Sequence, residues 1–176
     1  MRFNIPVLSL LSLLILASPA AVAVEAVVHI SRGEVQYSAP DSDVFHSLKK
    51  GMRLPEGSKI RTGEDGLAVL RLTTGSAVRV ARDTEVVLDI LRETGGKGEG
   101  QQQVKLKLNE GAVSSLIKKE NKEKSDFKIE TPQGSAAARG TFYAVGIEEG
   151  KTYVKVAEGE VGVEMSEALD TSIADK

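Results

Sequence analysis

Residues 66–80 read GLAVLRLTTGSAVRV, two short runs separated by a glycine-containing turn. In Ala68-Val69-Leu70-Arg71-Leu72 and in Val78-Arg79-Val80, one phase of the alternation is apolar and the other carries arginine. An alternation with period two is typical of a strand that buries one of its faces. Gly66 and Gly75 border the runs where turns are needed. This stretch therefore predicts two short strands joined by a tight turn.

The same pattern continues along the chain. Alternating or valine-rich runs recur at 104–108, 127–129, 153–156 and 161–163, and all 17 glycines follow residue 23. Short strands punctuated by turn glycines indicate an all-β fold. We predict a single domain of many short strands, arranged as a solenoid-like roll or a twisted β-sandwich.

Three segments need separate interpretation. Thr84 to Glu93 fits a helix with Asp83 as its N-cap, but its β-branched residues favour a strand. Glu93 to Gln103 contains four glycines and no apolar residue, which predicts a loop. Lys118 to Ser125 is charged almost throughout, and we expect it to cap a hairpin.

The N-terminus predicts export. Residues 1–23 combine an early arginine, an apolar stretch from Val7 to Ala17 and the small-residue ending Ala21-Val22-Ala23, a pattern typical of a secretory signal peptide. The alternative is an uncleaved membrane anchor, which Pro19 disfavours. We therefore expect a signal peptide at 1–23, a β domain at 24–165 and a polar tail at 166–176. The mature protein is expected in the periplasm or outside the cell, with no membrane span.

Composition argues against several functions. The chain has 176 residues, no Cys, two His and a formal net charge of −2. Without cysteine there are no disulfides, thiolate metal sites or cysteine nucleophiles, and the near-neutral charge disfavours nucleic-acid binding. The remaining pattern contains no recognisable catalytic motif. We predict a protein that is not an enzyme and has no metal, no cofactor and no nucleic-acid partner, although a hydrolase using scattered carboxylates remains an alternative.

Basic residues occupy the polar phase of several predicted strands, namely Arg61, Arg71, Arg79, Lys105 and Lys107. If the strands bring them together, they form a stripe suited to phosphate or carboxylate groups. The alternative is that they keep the sheet soluble and protect its edges.

Four short motifs carry a resemblance to a known family: IRTG at 60–63, TPQG at 131–134, RGTF at 139–142 and EGEV at 158–161. With the sequence around them, from about Val27 to Val163, they resemble the FecR domain. The motif residues are interpreted as turn and packing positions: Gly63, Gly66, Thr131, Pro132, Gly134, Gly140, Thr141, Phe142 and Gly159. We expect positive φ at Gly63 and Gly66, and close backbone approach at Gly140.

FecR domains are exported sensor modules of bacterial iron-uptake signalling proteins, and the resemblance covers only the exported half of such proteins. It implies a standalone form without the anti-sigma region. The expected function is a non-enzymatic protein–protein interaction or signalling module in the cell envelope, whose partner is another envelope protein. The alternative is binding of an anionic small molecule or envelope polymer through Arg61, Arg71, Arg79 and Arg139. Arg139 could instead be a structural clamp on carbonyls or a carboxylate.

Overall fold

The fold is known from a computed structural model that describes residues 21–94, 101–118 and 125–166. Within these ranges the chain forms fifteen strands and no helix. All of them belong to one large, curled, mainly antiparallel sheet that has the form of a half-barrel. The all-β prediction is therefore confirmed.

The curled sheet has two halves, sheet A and sheet B. Sheet A has the order β4-β3-β6-β9-β10-β11-β12-β15, with β1 beside one end of β9. Its strands are β1 (Ala21–Ala23), β3 (Val35–Ser38), β4 (His46–Ser47), β6 (Lys59–Thr62), β9 (Thr84–Thr94), β10 (Gln101–Leu116), β11 (Ser125–Thr131), β12 (Gly134–Ala138) and β15 (Val161–Met165).

Sheet B has the order β5-β2-β7-β8-β10-β13-β14 and shares β10 with sheet A. Its other strands are β2 (Ala26–Arg32), β5 (Arg53–Leu54), β7 (Leu67–Leu72), β8 (Ala77–Val80), β13 (Phe142–Glu148) and β14 (Lys151–Glu158). The hydrophobic core lies between the two halves.

Strand β10 joins the halves. Residues 101–110 of this 16-residue strand pair with β9 on one side, and 102–107 pair with β11 on the other. Residues 113–116 pair with β8, and 111–116 pair with β13. The change of partners falls at Gly111, which has φ 78°. A Cβ atom there would lie 2.3 Å from the Asp83 carbonyl oxygen, so only glycine fits where β10 passes the start of β9.

A buried polar cluster fixes this crossing. The Ala112 amide donates to Thr84 Oγ1 at 3.0 Å, and the Thr84 amide donates to Thr62 Oγ1 at 3.0 Å. The Thr62 hydroxyl in turn donates to the Ala81 carbonyl at 2.6 Å. Thr62 and Thr84 are both buried, so their polar atoms have to find protein partners, and these contacts supply them.

The core consists of the inward phase of each alternating strand. Leu70, Leu88, Leu106 and Val145 come from both halves and have no solvent exposure. Phe127 packs edge-to-face against the Tyr143 ring, with 6.5 Å between ring centroids. Burial raises the pKa of Tyr143. The alternation predicted from the sequence is thus the alternation that separates core from surface.

The structure corrects two of the predicted connections. The expected loop at Glu93 to Gln103 is too long, because β9 extends to Thr94 and β10 begins at Gln101, and Glu93 is buried. Lys118 to Ser125 does not cap a hairpin, because β10 and β11, the strands it connects, run parallel, with Gln102 opposite Ser125. The segment Thr84 to Glu93 is a strand, as favoured. Residues 95–100 and 119–124 lie outside the described ranges.

The predicted chain termini lie mostly outside the described residues. Of the expected signal peptide at 1–23, only Ala21–Ala23 is described, as β1 paired with Arg92, Glu93 and Thr94 of β9. Cleavage after Ala23 would therefore remove β1 from the sheet. Of the expected tail at 166–176, only Ser166 is described, and its amide donates to the Gln133 carbonyl at 3.1 Å.

Two motif glycines are needed for a different reason than the one expected. Gly63 and Gly66 are not among the residues with positive φ. Both instead lie against the Glu34 region: a Cβ atom at Gly66 would be 2.4 Å from the Glu34 carbonyl oxygen. Gly140, where close approach was expected, has φ 62° and is buried. Space selects glycine at 66, whereas backbone conformation selects it at 140.

We predict that Gly66→Ala destabilises the fold by about 1–3 kcal/mol, because the added methyl group has to displace backbone atoms. Gly162→Ala is the matched control, since its φ is not positive and the nearest atom to an added Cβ is 3.9 Å away. Its effect should stay within about 0.5 kcal/mol. Urea unfolding of both variants tests this, and equal losses at the two positions would contradict it.

Candidate interaction site

One side of the half-barrel lies between the edge strands β14 and β15. Among the described residues, β14 pairs only with β13, and β15 pairs only with β12. The two strands follow one another in the chain but belong to different halves of the sheet. Each therefore presents a row of backbone amides and carbonyls that no neighbouring described strand uses.

An apolar cavity of about 560 Å³ lies between these edges. Its walls include Val154 of β14, Val145 of β13, and Val163 and Met165 of β15. Val163 is 59% exposed and Met165 is 70% exposed, although both lie on the inward phase, opposite Ala136 and Gly134. The open side thus exposes side chains that elsewhere in the sheet would be core. We call this cavity and its two edge strands the slot.

Polar contacts hold one end of the slot closed. The Gln133 side-chain amide donates to the Gly150 carbonyl, and its Oε1 accepts from the Thr152 amide at 2.6 Å. Thr131 Oγ1 and Thr152 Oγ1 are 2.9 Å apart. These contacts tie the β11–β12 turn of sheet A to the β13–β14 turn of sheet B.

At the other end, the β14–β15 turn connects the two edge strands. The buried Thr141 places its Oγ1 3.2 Å from the Glu160 carbonyl oxygen and 3.1 Å from that of Arg139. Gly159 lies against the same side chain, because a Cβ atom there would be 2.7 Å from Thr141 Oγ1. Contacts within the protein therefore join the two halves of the sheet at both ends of the slot.

The motif residues singled out from the sequence frame the slot. Thr131, Pro132 and Gly134 build the turn at the Gln133 end, and Gly134 lets β15 approach, since a Cβ there would be 2.3 Å from the Glu164 carbonyl oxygen. Gly140, Thr141 and Gly159 build the opposite end. Phe142 differs from the packing role expected for it, because it begins β13 on the outer face and is 43% exposed. The sequence did not show that these separate motifs meet around one opening.

The predicted basic stripe is divided between the two halves. On sheet A, Arg61 pairs with Glu85 at 2.5 Å and covers the Phe45 ring, with 4.2 Å from its guanidinium carbon to the ring centroid. Lys105 and Lys107 both pair with Asp89, at 3.0 and 2.8 Å. Carboxylates on a neighbouring strand therefore pair with all three of these cations.

Arg71 and Arg79 lie on sheet B and Arg139 lies in the turn after β12, all three exposed. Within the described ranges none of their side chains forms an ion pair, so Arg139 makes no clamp there. Arg139 lines a wide, open groove of about 1120 Å³ together with Asp126, Glu160 and neighbouring backbone. The structure therefore brings together Arg71 and Arg79, on adjacent strands, and leaves Arg61 and Arg139 apart from them.

The carboxylates of sheet A are stabilised in their charged form. A hydrogen bond from Asn109, together with Arg61, lowers the pKa of Glu85. Burial opposes the ionisation of Asp89, but hydrogen bonds from Lys107 and Lys105 outweigh it and lower its pKa as well. The hydrogen bond to Asp89 in turn raises the pKa of Lys105.

The described part of the chain contains no group of three or more His, Cys, Asp or Glu side chains placed to hold a metal ion. Across the same ranges, no helix has the length and apolarity that crossing a membrane requires.

The fold and the slot define an all-β module whose distinctive feature is an open, preformed apolar cleft. A family model described as "FecR protein" matches residues 58–162, which is more than half of the chain. The chain belongs to the FecR family. No curated protein and no solved structure matches it.

A pH prediction follows from the Asp89 cluster. Folding lowers the pKa of Asp89, so the ionised carboxylate adds to the free energy of unfolding. This stabilisation is complete above the pKa that Asp89 has in the unfolded chain, and it is lost as the pH falls through the pKa of the folded state. Asp89→Asn should cost about 0.5–1 kcal/mol near pH 6 and less near pH 3. Urea unfolding at both pH values measures this.

Glu64→Gln is the control, because Glu64 is exposed and forms no ion pair within the described residues. Its effect should be small at both pH values. A loss for Asp89→Asn that is equally large at acid and neutral pH would show that the ion pairs are not its source.

Proposed function

We propose that this protein is an exported, non-enzymatic FecR module that acts in the periplasm or outside the cell and binds another envelope protein through the slot. The observation that carries the proposal is that β14 and β15, on either side of an open apolar cavity, each have one edge that no described strand covers. Membership in the FecR family supports a sensor or signalling role for that contact.

Strand addition is the binding mode that the slot favours. An extended segment laid along β15 would use the free backbone groups of residues 161–165 and place alternate side chains into the cavity. At about 3.3 Å per residue, five residues of β15 offer an edge of roughly 17 Å. Backbone hydrogen bonds would supply affinity, and the apolar side chains facing Val163 and Met165 would supply specificity.

The fixed ends of the slot favour binding without rearrangement. Gln133 and Thr141 already hold the two halves of the sheet at a set separation, so the partner does not have to order the cavity as it binds. We therefore expect little backbone change in the FecR module when its partner docks.

Site-specific photo-crosslinking in the cell envelope tests the proposal. A photo-reactive residue at Val163 should give one discrete adduct with a different envelope protein, and adding Met165→Asp should abolish it by placing charge in the apolar wall. Both positions are largely exposed, so the variants should fold. The matched control position is Val44, which is 62% exposed and outside the slot, and should give no such adduct.

Three outcomes would contradict this function: no adduct from Val163, the same adducts from Val163 and Val44, or an adduct that contains only a second copy of this chain.

A second candidate function, binding of an anionic small molecule or envelope polymer, is favoured by Arg71 and Arg79. These exposed arginines lie on adjacent strands and form no ion pair among the described residues, unlike Arg61. Arg71→Glu with Arg79→Glu should weaken binding of a soluble polyanion such as polyphosphate by at least about tenfold, and binding should fall with salt. Direct binding measured by calorimetry would show this. The same affinity in wild type and variant would exclude this site.

A further inference from the structure

The outer face of sheet B differs from that of sheet A in its charges. Two adjacent rows of its outward residues cross the strands from β7 to β14. Across these strands, the first row contains Arg71, Ala77, Leu116, Phe142 and Glu158, and the second contains Val69, Arg79, Ser114, Ala144 and Lys155. On the outer face of sheet A, ion pairs join neighbouring strands, whereas in the two rows of sheet B the one acidic residue is Glu158, at the β14 end of the first row. We call the surface formed by these two rows the basic face.

The acidic residues of the outer face of sheet B stand at its margins. Glu25 pairs with Arg53 at the β2–β5 edge. Glu148 is opposite Lys151 at the β13–β14 turn, and Glu158 is at the end of β14. Arg71 and Arg79 on the interior strands β7 and β8, and Lys155 on the edge strand β14, are all exposed, and no described carboxylate pairs with any of them. The middle of the face is therefore positively charged.

Two large apolar side chains project from the same face. Leu116 is 53% exposed, Phe142 is 43% exposed, and the two residues are direct cross-strand partners. Neighbouring strands are about 4.8 Å apart, so the two side chains form one compact apolar patch, with Arg71 two strands from Leu116. Exposed apolar groups of this kind mark contact with a protein or a membrane.

The residues between these groups are small, chiefly Ala77, Ser114 and Ala144. The Tyr153 ring covers Gly146, where an added Cβ would be 2.3 Å from it, and Lys155 Nζ is 4.9 Å from the centre of that ring. Because the side chains between them are small, the basic and apolar side chains project beyond the rest of this sheet surface.

We propose that the basic face docks on the surface of a membrane that contains anionic phospholipids. Leu116 and Phe142 would enter the region between headgroups and acyl chains, while Arg71, Arg79 and Lys155 reach the phosphates around them. Charge complementarity favours an anionic surface. The apolar pair favours a lipid over a soluble polyanion, because on a polyanion Leu116 and Phe142 would stay in water.

The basic face and the slot use different side chains. The basic face uses the outward phase of sheet B, and the slot uses the inward residues Val154, Val163 and Met165. The proposal shares Arg71 and Arg79 with the polyanion hypothesis but does not depend on the protein partner. The protein could thus hold a partner in the slot while lying on a membrane.

Fluorescence offers a direct test because the chain has no Trp. In the otherwise full chain, Phe142→Trp introduces a single reporter at the apolar patch. Its emission should shift to shorter wavelength with phosphatidylcholine vesicles that contain phosphatidylglycerol, and should not shift with phosphatidylcholine alone. Val44→Trp, at an exposed site away from the face, should not respond to either vesicle.

Vesicle co-sedimentation separates the charged and apolar contributions. Arg71→Glu with Arg79→Glu should reduce binding to the anionic vesicles by at least about tenfold. Lys49→Glu with Lys50→Glu makes the same change in net charge at exposed positions outside the face and should have a much smaller effect. Leu116→Ser with Phe142→Ser should also reduce vesicle binding, while Val44→Ser should not.

Several results would overturn the proposal. One is wild-type protein that does not bind the anionic vesicles, which would leave an acidic protein as the fitting partner for the face. Another is equal loss from both charge-reversal pairs, which would mean that only net charge matters. A third is vesicle binding that Leu116→Ser with Phe142→Ser leaves unchanged, which would identify a polyanion site. None of these results depends on the adduct at Val163.

Discussion

The crossing of β10 from one half of the sheet to the other is the constraint on which the rest of the structure depends. Gly111 allows the strand to pass within contact of Asp83 and Thr84, and the Thr62–Thr84–Ala112 hydrogen bonds hold it there. Because β10 is shared, the two halves face each other across one core. The same crossing brings β13 and β14 opposite β12 and β15 and leaves the opening between them.

The two outer faces then have different chemistry for a physical reason. On sheet A, opposite charges alternate across neighbouring strands and satisfy one another, as Arg61 does with Glu85 and Lys105 with Asp89. A surface of this kind is soluble and has little net attraction for an anion. On sheet B, the arginines alternate with alanine, serine and valine, so their charges remain available. The two proposals therefore concern the open side and the face of sheet B.

Local patterns in the sequence predicted the strands, and they did so because burial of alternate residues is a local property. The pattern at 66–80 gave β7 and β8, and β-branched residues correctly favoured a strand at Thr84 to Glu93. Which strands become neighbours is not local. The parallel pairing of β10 with β11 contradicted the hairpin expected at Lys118 to Ser125, and no residue in that segment specifies the partner.

The slot and the basic face show the same difference between what local patterns predict and what long-range pairing decides. The motifs at 131–134 and 139–142 were recognised as turns, but their meeting around one slot depends on long-range pairing. In the sequence, Arg61 and Arg71 both lie on the polar phase of a predicted strand. The structure distinguishes them because Arg61 has an acidic neighbour on β9, Glu85, with which it forms an ion pair. Leu116 and Phe142 stood in the outward phase and could have been noticed as exposed apolar positions. The sequence could not show that these two residues are partners across β10 and β13, because that pairing is long-range.

Residue-by-residue hydrogen exchange followed by NMR tests the central claim, which is that β10 is the shared interior strand and that β14 and β15 are free edges. The account predicts that the amides of β10 on both sides of Gly111 exchange most slowly, and that alternate amides of β14 and β15 exchange quickly. Uniformly slow exchange along β14 and β15, as slow as in β10, would show that the edges are covered and would contradict the slot.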